Sequence, residues 1–377
     1  MSLEEERLAR ATISLVAEPG DLRALGLTRE FGPTGFLEVL RTHADLRDAF
    51  TAAAGRLRTV EPERVLDHAS GRGIRFVIPG DAEWPRQLDD LERAGALQDR
   101  GGVPVGLWVR GRQRLDRLAD AVAVVGSRSS TTYGDEVAAD LAAVVGGAGR
   151  PVISGGAFGI DYAAHRGAVA AGAATVAVLA CGVDRAYPAA HRAMLEHLAD
   201  QHAVVSEAPP GASPFRIRFL ARNRLIAALS QGTVVVEAAL RSGALNTANW
   251  AERLHRLVMG TPGPLTSVAS EGVHQLIRRG GAALVTGGAD VLELVGAAGE
   301  ELVPDARAPE QPRDRLSVRA RQVVDAVPVA APAPSESVAV VAGLGVMEVD
   351  RILSGLEADG LVELMPTGWR LTALGRR

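Results

Sequence analysis

From residue 121 onward the chain alternates between two kinds of segment. Apolar runs of strand length recur as AVAVVG (121–126), PVISG (151–155), TVAVLAC (175–181), AVVSE (203–207), TVVVEA (233–238) and LVMGTP (257–262). Alanine-rich stretches of helix length separate them. Strands that are apolar on both faces need cover on both faces. The pattern therefore predicts an α/β fold, a Rossmann-like, doubly wound and mostly parallel sheet. Such a sheet holds its ligands outside the carboxyl ends of its strands.

The flanks have other periods. Residues 1–70 read as short helices: ERLARATISLV has apolar residues at helical spacing, and PGD and FGPTG punctuate the region. RFVIP and GLWVRG, within 75–111, are two short strand candidates joined by an arm containing DAEWPRQL. After the last strand, GVHQLIRRGG, AALV and ADVLELVG close the sheet domain. Residues 299–315 are charged and proline-bearing, as a linker is. In the last sixty residues RARQVVDAV, SESVAVVAGL and MEVDRILSGLEADGLVEL read as helices and MPTGWRLT as a hairpin. That order predicts a winged helix-turn-helix. The expected domains are 1–70, 71–298 and 316–377.

Composition narrows the chemistry. The 377 residues are 47% hydrophobic and 23% charged, those of a globular protein. The start, MSLEEERLAR, is acidic and polar, unlike a signal peptide, and no apolar run is long enough for a membrane span. A single cysteine, Cys181, leaves no internal disulfide and no cysteine-based zinc site. These features predict a cytoplasmic protein. All 41 basic residues are arginines, so there is no P-loop lysine, Schiff base or lysine general base. The eight histidines form no H-E-x-x-H, and His191, His197 and His202 are expected on or beside one helix surface. No metal or cofactor is expected.

Two glycine loops follow the first two strands of the series. In VVGSRSSTTYGDE, Gly126, Ser127 and Arg128 offer close approach, a hydroxyl and a guanidinium. In ISGGAFGIDYAAHRG, Ser154, Gly155, Gly156 and Gly159 form a second candidate cradle, with Asp161 as the expected helix cap. Unpaired N–H groups at a helix start can hold an anion. A dinucleotide site would need G-x-G-x-x-G and an acid at the end of the second strand, and neither is present. Asp161, Glu207 and Glu237 stand at strand or helix ends. They are expected to cap helices or orient arginines rather than to catalyse.

The net charge is −4, yet PFRIRFLARNR (214–224) gathers four arginines and two phenylalanines without an acid. It follows a strand, so it lies at the same carboxyl edge as the glycine loops. Arginine neutralises phosphate and a phenylalanine face stacks bases. Arg216 and Phe219 are expected in a groove, Phe215 in the core, and Arg222 and Arg224 at the opening of a helix.

The motifs AVAVVGSR, SGGAFGIDYAAHRGA, CGVDRAYP, SEAPPG, RNRLIAALS, VVVEAALRSGALNTA and GTPG, in this order over about 75–296, resemble the DNA-processing protein A family (DprA, also called Smf). The first seventy residues resemble the sterile-alpha-motif-like domain of many members, and the last sixty their winged helix. The resemblance implies a non-enzymatic, dimeric single-stranded-DNA binder that helps load the RecA recombinase, in natural transformation or in repair. It implies that Arg128 and the second cradle hold phosphates, that Arg216 stands for a family lysine, and that Phe219 is the base-stacking aromatic. Arg222, Asn223, Arg224, Ser242 and Gly243 complete the candidate contact set. The dimer is expected through 273–286, with Val273, His274, Leu276, Ile277 and Leu284. His191, Leu220, Asn246 and His274 depart from the family pattern. The alternative reading is a nucleotide-processing enzyme related to phosphoribohydrolases, whose PGGxGTxxE is absent. A third, a transcription regulator working through the winged helix, meets an acidic recognition helix at 346–358.

Overall fold

The computed structural model describes residues 2–42, 51–297, 299–300, 302 and 311–376. Most of the linker expected at 299–315 lies outside the described residues. The chain divides into two compact units, Met1–Val303 and Pro304–Arg377.

The strands of the larger unit are β1 (Ile74–Val77), β2 (Ala96–Leu97), β3 (Arg100–Gly101), β4 (Leu107–Gly111), β5 (Val122–Val125), β6 (Val152–Ser154), β7 (Thr175–Leu179), β8 (Ala203–Ser206), β9 (Gly232–Val235), β10 (Leu257–Gly260) and β11 (Ala283–Leu284). Nine of them form one sheet in the order β1-β4-β8-β7-β6-β5-β9-β10-β11, and β2 pairs with β3 in a separate small hairpin. From β8 to β11 every neighbour is parallel. The two early strands, β1 and β4, extend the sheet antiparallel.

Alternation along β5 shows why both faces are apolar. Val122 and Val124 pack with the alanine-rich helices Thr132–Gly147 and Ile160–Ala170. Ala123 and Val125 pack with helices Arg216–Leu229 and Gly243–Arg253. The chain runs from β5 outward to β8, then returns to place β9 on the other side of β5. That reversal opens a crevice at the carboxyl ends of β5 and β9.

The expected boundary at residue 70 does not divide the larger unit. Its N-terminal helices are bound to the sheet by charge and hydrogen bonds. Arg7 pairs with Asp81 at 2.8 Å, Glu18 with Arg218 at 2.8 Å, and Trp108 Nε1 donates to Ser14 Oγ at 3.3 Å. FGPTG does break its helix: Gly32 takes φ 72° inside Leu22–Thr42.

The smaller unit has helices Val318–Ala326, Ser335–Ala342 and Val346–Ala358, then a hairpin of β12 (Val362–Met365) and β13 (Gly368–Leu371). The hairpin starts earlier than the pattern predicts. Gly360, at φ 71°, ends the helix and releases VELM as a strand. Val323, Val324, Leu353, Leu356 and Trp369 fill its core.

Candidate nucleic-acid interface

The crevice between β5 and β9 is an open cleft of ≈ 710 Å³. Gly126, Ser127 and Arg128 line it from the loop after β5, and Arg216, Phe219 and Arg222 from the helix Arg216–Leu229. Arg241, Ser242 and Gly243 line it from beyond β9.

That helix begins at Arg216, earlier than the sequence pattern predicts. Arg222 and Arg224 therefore lie inside it rather than at its opening, and burial deepens along the helix: the first turn is open and every residue from Ala221 to Leu229 is buried. Arg216 is exposed and Phe219 half-buried, while Arg222, Asn223 and Arg224 are buried. Phe219 is the ring around which the cleft is organised. The Arg128 guanidinium lies over its face, 4.7 Å from the centroid, and the Tyr187 ring is 5.8 Å away. Arg128 itself is exposed. Phe215, expected in the core, is instead 56% exposed, with Arg218 over its ring at 5.0 Å. It is the N-cap residue, one turn before Phe219, and the helix start carries it outward.

Arg224 does not face the cleft. It is fully buried, and its guanidinium is bidentate to Glu207 at 2.7 and 2.8 Å. Its Nε donates to the carbonyls of Gly101 and Gly102. Ser154 is also fully buried, its hydroxyl donating to the Val124 carbonyl. Neither side chain is placed to meet a phosphate.

Arg222 is held beneath the second glycine loop. Its Nη1 donates to the Val178 carbonyl at 3.1 Å and stands 4.0 Å from Asp161 Oδ2. A Cβ on Gly155 would lie 1.4 Å from that nitrogen, so glycine is required there by the buried guanidinium. Burial lowers the Arg222 guanidinium from its ordinary value, opposed by Asp161. Burial likewise pushes the Asp161 carboxyl up, against the pull of Arg222. Asp161 is not the helix cap; Gly159 holds that position. The carboxylate reaches back to accept the Ala157 N–H at 3.3 Å.

The first cradle is partly used by the protein itself. Ser127 N–H donates to the Glu237 carbonyl at 2.6 Å. Gly159 takes φ 72°, and a Cβ there would lie 2.4 Å from the Ser127 carbonyl oxygen, so glycine lets the two loops touch. Glu237 accepts the backbone N–H and hydroxyl of Thr131, at 2.9 and 2.6 Å, and so fixes the start of Thr132–Gly147. On the far wall, Ser242 caps the helix Gly243–Arg253, whose N-terminus opens on the cleft. Asn223 steadies that terminus, donating to the Gly243 carbonyl at 3.3 Å and to Asn246 Oδ1 at 3.1 Å.

The positions that depart from the family pattern have local partners. Asn246 also donates to Gln98 Oε1 at 3.1 Å. His191 Nδ1 meets the Gly156 carbonyl at 3.0 Å, and His274 Nε2 the Gly263 carbonyl at 3.1 Å. His191 therefore braces the second glycine loop and does not share a surface with His197 and His202, whose rings lie 5.8 Å apart. Nothing in the structure explains Leu220.

Sequence reasoning missed Phe158 and Tyr187, which are 47% and 43% exposed at the same edge, and it missed Arg241. A signal was present for Phe158, which follows the carboxyl end of β6 among the small residues GGA, where it has no sheet to pack on. In the expected dimer segment, Val273 is buried in the core of its own chain, filling space beside Gly260. Leu276 and Ile277 pack partly against that core, and Leu284 is 52% exposed. Among the described residues, no group of three His, Cys, Asp or Glu is placed to hold a metal, and no helix is long and apolar enough to cross a membrane.

Fold and cleft together define a Rossmann-like protein with a basic, aromatic carboxyl edge. The chain belongs to the DNA recombination-mediator protein A family, whose model matches residues 75–296. It is 43% identical over 371 residues to the DprA relative of Mycobacterium tuberculosis (strain H37Rv), covering 97% of this chain and 95% of that one. It is 37% identical to protein Smf of Escherichia coli (strain K12), covering 78% and 76%. The DprA structure from Streptococcus pneumoniae aligns with a TM-score of 0.62 at 30% identity, covering 78% of this chain and 98% of that one. The Helicobacter pylori DNA processing protein A, whose structure concerns a single-stranded-DNA binding mode, aligns with a TM-score of 0.51 at 26% identity, covering 58% and 95%.

Proposed function

We propose that the protein binds single-stranded DNA along the carboxyl edge of its sheet and mediates recombination by protecting that strand and passing it to a RecA recombinase. The observation that carries this reading is the Phe219 ring at the centre of the cleft, with the Arg128 guanidinium on its face and exposed Arg216 and Arg241 on the rim. Phosphates need cations and unpaired bases need flat apolar faces, and the cleft has both. Gly126 permits close approach, and the Ser127 hydroxyl and the helix N-terminus at Gly243 add donors. Arg222, Asn223 and Asp161 line the same cleft, and Gly155 leaves room for the Arg222 guanidinium.

The protein acts without catalysis. The carboxylates at this edge are engaged in structural bonds: Glu237 with Thr131, Glu207 with Arg224, and Asp161 with the Ala157 N–H. The working form is a homodimer through 273–286, with exposed Leu284 on the edge strand β11 as its main contact and Val273 as internal support.

The test is a fluorescence titration of the full chain with single- and double-stranded oligonucleotides over a salt series. Binding should favour the single strand, and log affinity should fall linearly with log salt. Equal or tighter binding to duplex refutes the reading.

A further inference from the structure

The cleft continues past Phe219 into a second, smaller cavity of ≈ 50 Å³ near the carboxyl end of β7. Arg128, Ala157, Tyr187 and Phe219 line both spaces. Its other walls include Gly155, Phe158, Ala180 and Pro188. Phe158 is held from below, its ring edge-on to His191 at 4.6 Å, and His191 in turn is bonded to the Gly156 carbonyl. The ring thus rests edge-on against His191 while almost half of it stays in solvent. Aromatic residues are only 4% of this chain, yet Phe158, Tyr187, Phe215 and Phe219 all gather at this one edge. Several half-exposed rings clustered beside a small hollow mark a surface that takes a flat apolar ligand.

Resting on the single-stranded-DNA reading, the geometry points to a second base-binding subsite, in which Phe158 and Tyr187 hold an unpaired nucleobase distinct from the one stacked on Phe219. Arg128 lies over the Phe219 ring and lines the hollow beside Phe158. It is placed to take the phosphate that links the two nucleotides once a base displaces it from Phe219. The strand then turns from the β5–β9 crevice toward β7, and two separate bases are read by two separate rings.

The experiment uses the full chain and thymidine oligonucleotides in which one abasic site is moved along the strand. Wild-type affinity should drop at two positions, by at least about fivefold each, the lower end of a lost base stack. Phe219→Ala should remove the sensitivity at one position and Phe158→Leu at the other. Leucine keeps the apolar contact with His191 but has no stacking face, and Phe158→Tyr should keep the wild-type profile. If Phe158→Leu, checked for fold by circular dichroism, gives the wild-type profile, the second subsite is overturned and the cleft reading stands. If Phe158→Tyr loses the second position as well, a ring face is not what is recognised, and the proposal also fails. A wild-type chain with no affinity for the intact oligonucleotide overturns both readings.

Discussion

Replacing Glu207 with alanine should destabilise the larger unit strongly and leave DNA binding unchanged. Glu207 is the counter-charge of Arg224, with both guanidinium ends at 2.7 and 2.8 Å. Arg224 is fully buried and Glu207 nearly so. Without the carboxylate the cation keeps only the carbonyls of Gly101, Gly102 and Ala221. Removing one partner of a buried ion pair costs about 3–5 kcal/mol. The unit spans Met1–Val303, and a unit of roughly 300 residues unfolds with an entropy of about 0.6 kcal/mol/K, so its Tm should fall by roughly 5–8 °C. Scanning calorimetry reads that shift. Anisotropy with labelled single-stranded DNA, well below the transition, reads the affinity of the folded variant. The double variant Glu207→Leu with Arg224→Met should recover most of the lost stability, because two apolar side chains need no counter-charge. A melt that does not move, together with a large loss of affinity, would refute the reasoning and return Arg224 to the DNA surface.

Other perturbations separate the remaining roles. Arg128→Ala and Arg216→Ala should each lower the salt slope by about one, whereas Phe219→Ala should cost ~1–3 kcal/mol of binding at an unchanged slope; a slope that moves only in the phenylalanine variant contradicts this. Leu284→Glu should give a folded monomer by light scattering, and an unchanged dimer would place the interface elsewhere. Removing residues 304–377 should weaken single-stranded-DNA binding by less than tenfold, about 1.4 kcal/mol, since 316–377 hold six arginines against seven acids; a greater loss in a folded dimer means that this unit contacts DNA. Burial, reinforced by His191, His202 and Arg222, lowers the His165 imidazole to about 3 from its ordinary 6.5. The unfolded chain then binds the extra proton, so stability is full above pH 6.5 and falls as pH drops below it, by up to about 1.4 kcal/mol per unit. His165→Gln should flatten that decline between about pH 6.5 and 5, as followed by urea unfolding; an unchanged slope assigns the decline to other groups.

The sheet was legible because its physics is local. Val122 to Val125 and runs such as TVVVEA are apolar on both faces, and only a strand covered twice buries all of them. The extent of the helix carrying PFRIRFLARNR was not legible. Position along the helix decides which arginine sees solvent, because only the first turn stays open, and no cap residue in APPGASPF announces where that turn begins. Arg216 and Phe219 stand at the edge, as expected, because they precede the turn that sinks. Arg222 and Arg224 sink with it, one against Gly155 and the other onto Glu207. Those partners lie far away in sequence, so the burial of the two arginines could not be read from their own neighbourhood. The acids were more legible, since a carboxylate at a strand end beside arginines or free N–H groups has few other uses. The N-terminal helices looked independent because ion pairs such as Arg7–Asp81 and Glu18–Arg218 leave no periodic trace.

The reversal of strand order at β5 has a consequence for the newborn chain. Residues 122–125 find one neighbour in β6 soon after they are made, but their other neighbour, residues 232–235, is synthesised much later. Until β9 arrives, β5 is a bare margin reading VAVV, with unpaired backbone groups and no charge to repel a second chain. A ribosome that stalls, or a protease that cuts, before residue 232 would therefore release a fragment that lacks the far wall of the cleft, with Arg241, Ser242 and Gly243, and offers a sticky edge in its place. The same two strands that frame the cleft in the finished molecule make the unfinished one prone to aggregate.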